Sequence, residues 1–138
     1  MDLRLTTTSP PVFYRTFQPR VDFQNHTVSD PILRNVLFKI SLAFGKNLII
    51  TSGDRKQVVN GNTNSHHLQG RAADFYIDGM SLADTFFNIR KLDFISRGFQ
   101  VIYHTENTTA PHIHIGRYHD MRPSNFMLDD GEILNNFK

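Results

Sequence analysis

The chain of 138 residues contains no cysteine and no tryptophan, and its lysines and arginines form no run. The lack of cysteine excludes disulfide bridges, thiolate zinc sites and cysteine nucleophiles, and it leaves the redox compartment undetermined. The formal net charge is only +2, so the sequence does not indicate a nucleic-acid partner. No apolar stretch approaches the length of a membrane span, so no membrane partner is expected. Residues 1–8 are too polar for the apolar region of a signal peptide.

The residues that are present describe one ordinary globular domain over residues 1–138. Hydrophobic residues make up 39% and charged residues 20% of the chain, and this length suffices to bury a core without disulfide bridges. Residues 1–28 contain three prolines and little periodicity, so we predict an irregular arm with room for one short strand. In the tail, residues 119–138, weak helical periodicity near 132–137 predicts a short helix.

Two helices are predicted in the central part of the chain. The clearer one begins at Ser29-Asp30-Pro31, with the serine as the cap and the proline in the first turn. Apolar residues follow at helical spacing up to Phe44, and Gly45 is typical of a helix end. The second helix begins near Ser81, with Asp84 in a capping-box position. The side chains predicted to face the core from this second helix are Phe86, Phe87 and Ile89.

Short runs of β-forming residues predict four strands, over 48–51, 72–77, 99–103 and 112–117. Residues 52–66 are rich in glycine, asparagine and serine and are predicted to form a loop. Together these elements predict an α+β fold. A small, mainly antiparallel sheet is flanked by two helices and preceded by the irregular arm.

Two short segments bring together the residue types of a metal site. Side chains alternate along a strand, so His112 and His114 point to one side of the sheet and Ile113 to the other. His67 precedes the predicted strand that contains Asp74. Two imidazoles and one carboxylate without an obvious fourth ligand match a catalytic zinc site, which keeps one position for water. From the residues alone, surface histidines and an aspartate in a salt bridge are the alternative.

The pattern Ser65-x-His67-x-x-Gly70-x-Ala72-x-Asp74, followed by a strand with His-x-His, resembles the zinc D-alanyl-D-alanine carboxypeptidase family of peptidoglycan peptidases. The fold of that family is shared with the lysostaphin-type peptidases and the hedgehog signalling domain. Thr51-Ser52-Gly53-Asp54-Arg55 also resembles the family's strand-end Ser-Gly-x-Arg. The resemblance spans residues 30–118, and it implies a zinc-carrying sheet.

By position, the resemblance implies that His67, Asp74 and His114 bind Zn²⁺ and that His112 lies beside the metal. His66 and His104 are expected to line or flank the site. Arg55 matches the arginine that orients the backbone or terminal carboxylate of the substrate, a task suited to a guanidinium that donates two parallel hydrogen bonds. A salt bridge that fixes the 52–66 loop is the alternative for Arg55.

The chain departs from the family pattern at the catalytic acid. Many relatives place a Glu or Asp three residues before the last zinc histidine, where this chain has Pro111. Glu106, eight residues before His114, is the first candidate for the general base, and a solvated loop glutamate is its alternative. His112 is the second candidate, because a neutral imidazole beside a metal can accept a proton or stabilise an oxyanion. Asp54 and Asp120 are remoter candidates.

The resemblance implies zinc-dependent hydrolysis of peptide bonds in peptidoglycan stem peptides, as a carboxypeptidase or an endopeptidase. The partners implied are peptidoglycan or its peptide fragments. Since no signal peptide is recognised, we expect a protein made in the cytoplasm that acts on the cell wall after release or delivery, as in phage-type lysis. The displaced acid keeps open a second hypothesis, a hedgehog-like zinc-containing binding domain with little or no hydrolysis. A metal-free domain with chance histidines is the third.

Overall fold

The computed structural model describes residues 17–56, 65–105, 110–129 and 131–135. It contains two helices and six strands in these residues, together with a 3-10 turn at Asp93–Ile95. In chain order the elements are β1 (Val21–Asp22), α1 (Pro31–Phe44), β2 (Leu48–Ser52), β3 (Ala72–Ile77), α2 (Leu82–Ile89), β4 (Phe99–His104), β5 (His112–Arg117) and β6 (Asn125–Leu128). The α+β class predicted from the sequence is confirmed. No helix in the described residues has the length and apolar character needed to cross a membrane.

The six strands form one mixed sheet in the order β1-β2-β3-β5-β4-β6. The three central pairings, β2 with β3, β3 with β5 and β5 with β4, are antiparallel. Both edge strands pair in parallel, β1 with β2 and β6 with β4. The mainly antiparallel sheet that we expected is confirmed for the four predicted strands, and the parallel pairing of the two edge strands makes the whole sheet mixed.

Helix α1 begins one residue later than the sequence suggested, because its cap is Asp30 and not Ser29. The Asp30 carboxylate accepts a hydrogen bond from the backbone N–H of Leu33 at 2.8 Å, which satisfies a donor that the first helical turn leaves free. Pro31 occupies the first helical position. Gly45 ends the helix in the left-handed conformation, with φ of 64°, as predicted.

Helix α2 confirms the predicted cap but not the whole predicted buried face. The Ser81 hydroxyl accepts a hydrogen bond from the backbone N–H of Asp84 at 3.0 Å. Phe86 and Ile89 are fully buried, whereas Phe87 is 43% exposed. The prediction for Phe87 was wrong because its position lies about 100° around the helix from Phe86, on the side away from the sheet.

The core lies on one face of the sheet, where both helices pack. Side chains of alternate strand positions, such as Phe75 and Ile77 of β3 and Ile113 and Ile115 of β5, join the buried residues of α1 and α2 in one cluster. The intervening positions of β3 and β5 therefore face the opposite side of the sheet. That opposite face carries the polar side chains of the candidate site.

The chain ends differ from the sequence-based predictions. Residues 132–135 form no helix; instead Ile133 makes an isolated bridge with Met127 of β6. Phe126 of β6, which the sequence did not predict as a strand, is almost fully buried. The edge of β4 offers backbone N–H and C=O groups for pairing. Pairing with them satisfies the backbone hydrogen-bonding groups of β6, in the tail, better than an isolated helical turn would. In the arm, β1 is the expected short strand; residues 1–16, 57–64 and 136–138 lie outside the described part.

Candidate metal centre

Sheet register brings two of the predicted ligands directly opposite each other. Asp74 in β3 pairs with His114 in the antiparallel strand β5, and directly opposite residues have their side chains on the same face. His67 comes from the turn that precedes β3, where the backbone N–H of Gly70 donates to the His67 carbonyl at 3.3 Å. Gly70 has a φ of 72°, so this turn favours glycine at its end.

The three side chains converge on one carboxylate oxygen. Asp74 Oδ1 lies 3.1 Å from Nε2 of His67 and 3.0 Å from Nδ1 of His114. The three ligand atoms lie within 4.8 Å of one another, and all three residues are buried. Two imidazole nitrogens and a carboxylate oxygen at this spacing form a donor set that suits Zn²⁺.

The hydrogen bond on the far side of His67 shows that its contact with Asp74 requires a cation or a shared proton. His67 Nδ1 lies 2.8 Å from the carbonyl oxygen of Gly53. A carbonyl only accepts, so Nδ1 carries the hydrogen and Nε2 of the neutral ring carries a lone pair. That lone pair faces a carboxylate oxygen, which is also an acceptor. A metal ion bound by both atoms removes this repulsion, so the residues present fit the ion.

Burial and neighbouring groups give the predicted ligands protonation states that suit a metal ion. Burial raises the pKa of Asp74, but in the metal-free protein the contacts with His114 and His67, each sharing a proton with the carboxylate, outweigh burial and leave that pKa far below the usual range. Burial lowers the pKa of His114, against the opposing effect of Asp74. At neutral pH the carboxylate is therefore charged and the His114 imidazole is neutral.

Gly53 explains why the Ser-Gly-x-Arg segment lies beside the metal site. An alanine Cβ at this position would lie 3.0 Å from the carbonyl carbon of Thr27 and closer still to its oxygen, so only glycine fits. The Gly53 carbonyl accepts from His67 Nδ1, and a partner of this kind orients a metal-binding imidazole. Next in this segment, the backbone N–H of Arg55 donates to the His67 carbonyl at 3.0 Å.

His112 lies on the same face of β5 as His114, as the alternation predicted. Its Nδ1 is 2.6 Å from the carbonyl oxygen of Ala110, so Nδ1 carries the hydrogen and Nε2 is an acceptor in the neutral ring. Nε2 is 3.5 Å from Oδ2 of Asp74, and the side chain is 23% exposed. The free nitrogen therefore sits at the edge of the metal site, within reach of solvent.

The other candidates for proton transfer are placed differently. Glu106 lies outside the described residues. Asp54 Oδ1 accepts a hydrogen bond from the backbone N–H of Ser29 at 3.3 Å. Asp120 is exposed and pairs with Arg122 at 2.8 Å. The guanidinium of Arg55, which is half-buried, makes no hydrogen bond or ion pair within the described ranges, so the salt bridge considered for it is not found there.

Two further histidines flank the site, as expected. The ring of His66 meets Tyr118 edge-on at 5.5 Å, and burial lowers its pKa to about 4. The ring of His104 packs against His112, with 4.5 Å between centroids. Sequence reasoning missed Gly116, where an alanine Cβ would lie 3.0 Å from Cγ of His66. A glycine inside a strand pattern was the available signal, since it marks close approach of another group.

Comparison with known proteins agrees with this geometry. A family model described as Peptidase M15 matches residues 16–115, a span that contains β1 to β4, both helices and the three converging side chains. No curated protein and no solved structure matches the chain. The match covers well over half of the sequence, and the chain therefore belongs to the peptidase M15 family, whose members are zinc metallopeptidases.

Proposed function

We propose that this M15 family member hydrolyses peptide bonds in the stem peptides of peptidoglycan, with zinc held by His67, Asp74 and His114. The observation that carries the proposal is the contact of 3.1 Å between the His67 Nε2 lone pair and Asp74 Oδ1. In a buried site such a contact is unfavourable unless a metal ion or a proton lies between the two atoms. When bound, zinc polarises a carbonyl and lowers the pKa of water to about 7.

The ligand count supports a catalytic rather than a purely structural metal. Structural zinc sites are usually closed by four protein ligands, whereas catalytic sites keep one position open. Three groups converge here, all buried. His112, the next polar residue of β5 on this face, is 23% exposed. The position left for water or substrate therefore lies on the side of the site that faces solvent. A substrate approaching from that side meets His112.

His112 is a suitable proton acceptor on geometric grounds. Its Nδ1–H is already donated to the Ala110 carbonyl, so a proton taken from water goes to Nε2. The resulting Nε2–H then points at Asp74 Oδ2, which is 3.5 Å from Nε2. The carboxylate thus stabilises the imidazolium that forms, and His112 can later return the proton to the leaving amine. Glu106 remains the alternative base.

Arg55 is proposed to position the substrate. Its backbone N–H donates a hydrogen bond to the His67 carbonyl at 3.0 Å. This contact fixes the Arg55 backbone, and hence the start of its side chain, beside a proposed metal ligand. Its guanidinium has no partner among the described residues, and it has the geometry to donate two parallel hydrogen bonds to a carboxylate. A terminal carboxylate would suit a carboxypeptidase, and a backbone carbonyl would suit an endopeptidase.

The test is to incubate the zinc-loaded protein with purified peptidoglycan and to identify the released fragments by mass. Release of single terminal residues indicates a carboxypeptidase, and separation of cross-linked peptides indicates an endopeptidase. His67→Ala and His114→Ala should each abolish the release, whereas His26→Ala, which changes an exposed residue, should leave it intact. Undiminished release by either ligand variant would overturn the assignment. Activity on whole walls would support a role in phage-type lysis.

One observation favours a second candidate function, a hedgehog-like zinc-containing binding domain with little hydrolysis. Pro111 occupies the position three residues before His114, where many relatives carry the catalytic acid, and a proline transfers no proton. Glu106→Gln separates the two functions when it is compared with the unmodified protein. A peptidase that uses Glu106 loses turnover and keeps its zinc. A binding domain binds zinc and wall fragments in both forms and releases no product in either.

A further inference from the structure

A stacked pair of histidines lies at the edge of the candidate site. His104, the last residue of β4, lies directly opposite His112, the first residue of β5. The ring centroids are 4.5 Å apart and the ring planes differ by 31°, so the two imidazoles stack with a tilt. Neither ring of this pair belongs to the group of three converging ligands.

The backbone around His104 is held firmly in place. The neighbouring Thr105 donates from both its backbone N–H and its hydroxyl to Oδ2 of Asp129, at 3.1 and 3.2 Å. One residue earlier, Tyr103 pairs with Leu128 of β6 on one side and with β5 on the other. The end of β4 is therefore anchored from both sides, and the His104 ring starts from a fixed point.

The opposite ring has fewer restraints of its own. His112 is partly exposed, and the one close hydrogen bond that the described residues give its ring runs from Nδ1 to the Ala110 carbonyl at 2.6 Å. One hydrogen bond fixes the position of Nδ1 but leaves the ring plane free to tilt about it. A second contact, on the ring face, is needed to hold Nε2 towards Asp74.

We propose that His104 is a positioning residue, whose ring stacks on His112 and holds its Nε2 towards Oδ2 of Asp74. The flat face of the ring carries this role; its nitrogens are not required. A phenyl ring should therefore replace it, whereas a branched aliphatic side chain of similar size should not. The consequence for turnover rests on the proposed function, in which His112 accepts the proton, while the effect on the ring itself does not.

Two matched variants separate stacking from simple space filling. His104→Phe keeps a flat ring, and His104→Leu keeps apolar bulk without one. The His112 ring is observed directly by long-range ¹H–¹⁵N NMR of the metal-free protein. In the unmodified protein and in His104→Phe we expect one sharp set of ring nitrogen signals, as for a ring held in a single orientation. In His104→Leu we expect averaged or broadened nitrogen signals. Unchanged His112 signals in His104→Leu would overturn the proposal.

Kinetics on peptidoglycan fragments give the second readout. His104→Leu should lower kcat by about 10- to 100-fold, a loss smaller than removal of the whole acid–base group would cause, while KM and zinc affinity stay unchanged. His104→Phe should restore kcat to within a few-fold of the unmodified protein. Equal kcat losses in both variants would overturn the stacking role. If the unmodified protein shows no turnover, the proposed function fails, and the NMR comparison still decides the role of His104.

Discussion

Replacing Gly53 by alanine is expected to weaken zinc binding although Gly53 contributes no side chain to the site. The added Cβ would lie 3.0 Å from the carbonyl carbon of Thr27 and closer still to its oxygen. Since both partners are backbone atoms, relief requires the 53 segment to move by about 1 Å to reach ordinary van der Waals separation. The Gly53 carbonyl, now 2.8 Å from His67 Nδ1, moves with it.

The size of the effect follows from the hydrogen bond that is lost. A displacement of about 1 Å stretches this bond beyond useful length and frees the His67 ring to turn or to change tautomer. Loss of a partner of this kind typically costs about 10- to 100-fold in metal affinity, equivalent to about 1.4–2.7 kcal/mol. The strained backbone should also lower the free energy of unfolding by about 1–3 kcal/mol.

The assay is a competitive zinc titration against a chromophoric chelator, combined with urea unfolding of the metal-free protein. Gly45→Ala is the matched control. Gly45 has a φ of 64° and no heavy atom within 4 Å of an added Cβ, so this change costs about 1–2 kcal/mol of stability and leaves zinc affinity unaltered. A folded Gly53→Ala protein that binds zinc as tightly as the control would refute the role assigned to the Gly53 carbonyl.

Three further predictions concern stability, and urea unfolding checks each of them. Asp30→Asn keeps a good helix cap but replaces the carboxylate, whose two oxygens each accept a hydrogen bond of 2.7 Å from Arg117, by a neutral amide with one acceptor oxygen. It should cost about 1–3 kcal/mol at pH 7. The hydrogen bond from Arg117 lowers the pKa of Asp30. The stabilisation by the Asp30 carboxylate is therefore fully present above its unfolded-state pKa of about 3.9 and is lost as the pH falls through its folded-state pKa. If Asp30→Asn lowers the free energy of unfolding equally at pH 7 and pH 2, the argument is contradicted. Phe86→Ala should cost about 3–5 kcal/mol, whereas Phe87→Ala, at a 43% exposed position, should cost about 1 kcal/mol or less, and similar losses would contradict the burial described. Zinc at 100 times its Kd should add about 2.7 kcal/mol to the free energy of unfolding, and a chelator should remove that gain; a transition unmoved by zinc would argue against a folded metal site.

Local signals in the sequence predicted most of the elements because they depend on near neighbours in the chain. Pro31 and Gly45 mark the ends of α1 through their own backbone preferences. Alternation of apolar and polar residues predicted that His112 and His114 share one face of β5. The same locality explains the error at Asp30: serine and aspartate are both good caps, and only the hydrogen bond to Leu33 distinguishes them.

Features that depend on contacts between distant segments were not predictable in the same way. Nothing near residues 125–128 in the sequence indicated that they would pair with β4, because the pairing is decided by the free backbone edge of that strand. The stacking of His104 on His112 follows from the register of two antiparallel strands, and a shift of one residue would abolish it.

For the candidate site, the sequence by itself determined the set of side chains and the family pattern in which they occur. Only the tertiary structure decided which atoms converge and what holds them. Asp74 meets His114 through register, and His67 is oriented by a carbonyl from another strand end, at Gly53. The physical reason is that ligand chemistry belongs to single residues, whereas a hydrogen bond between segments exists only after the backbone has folded them together.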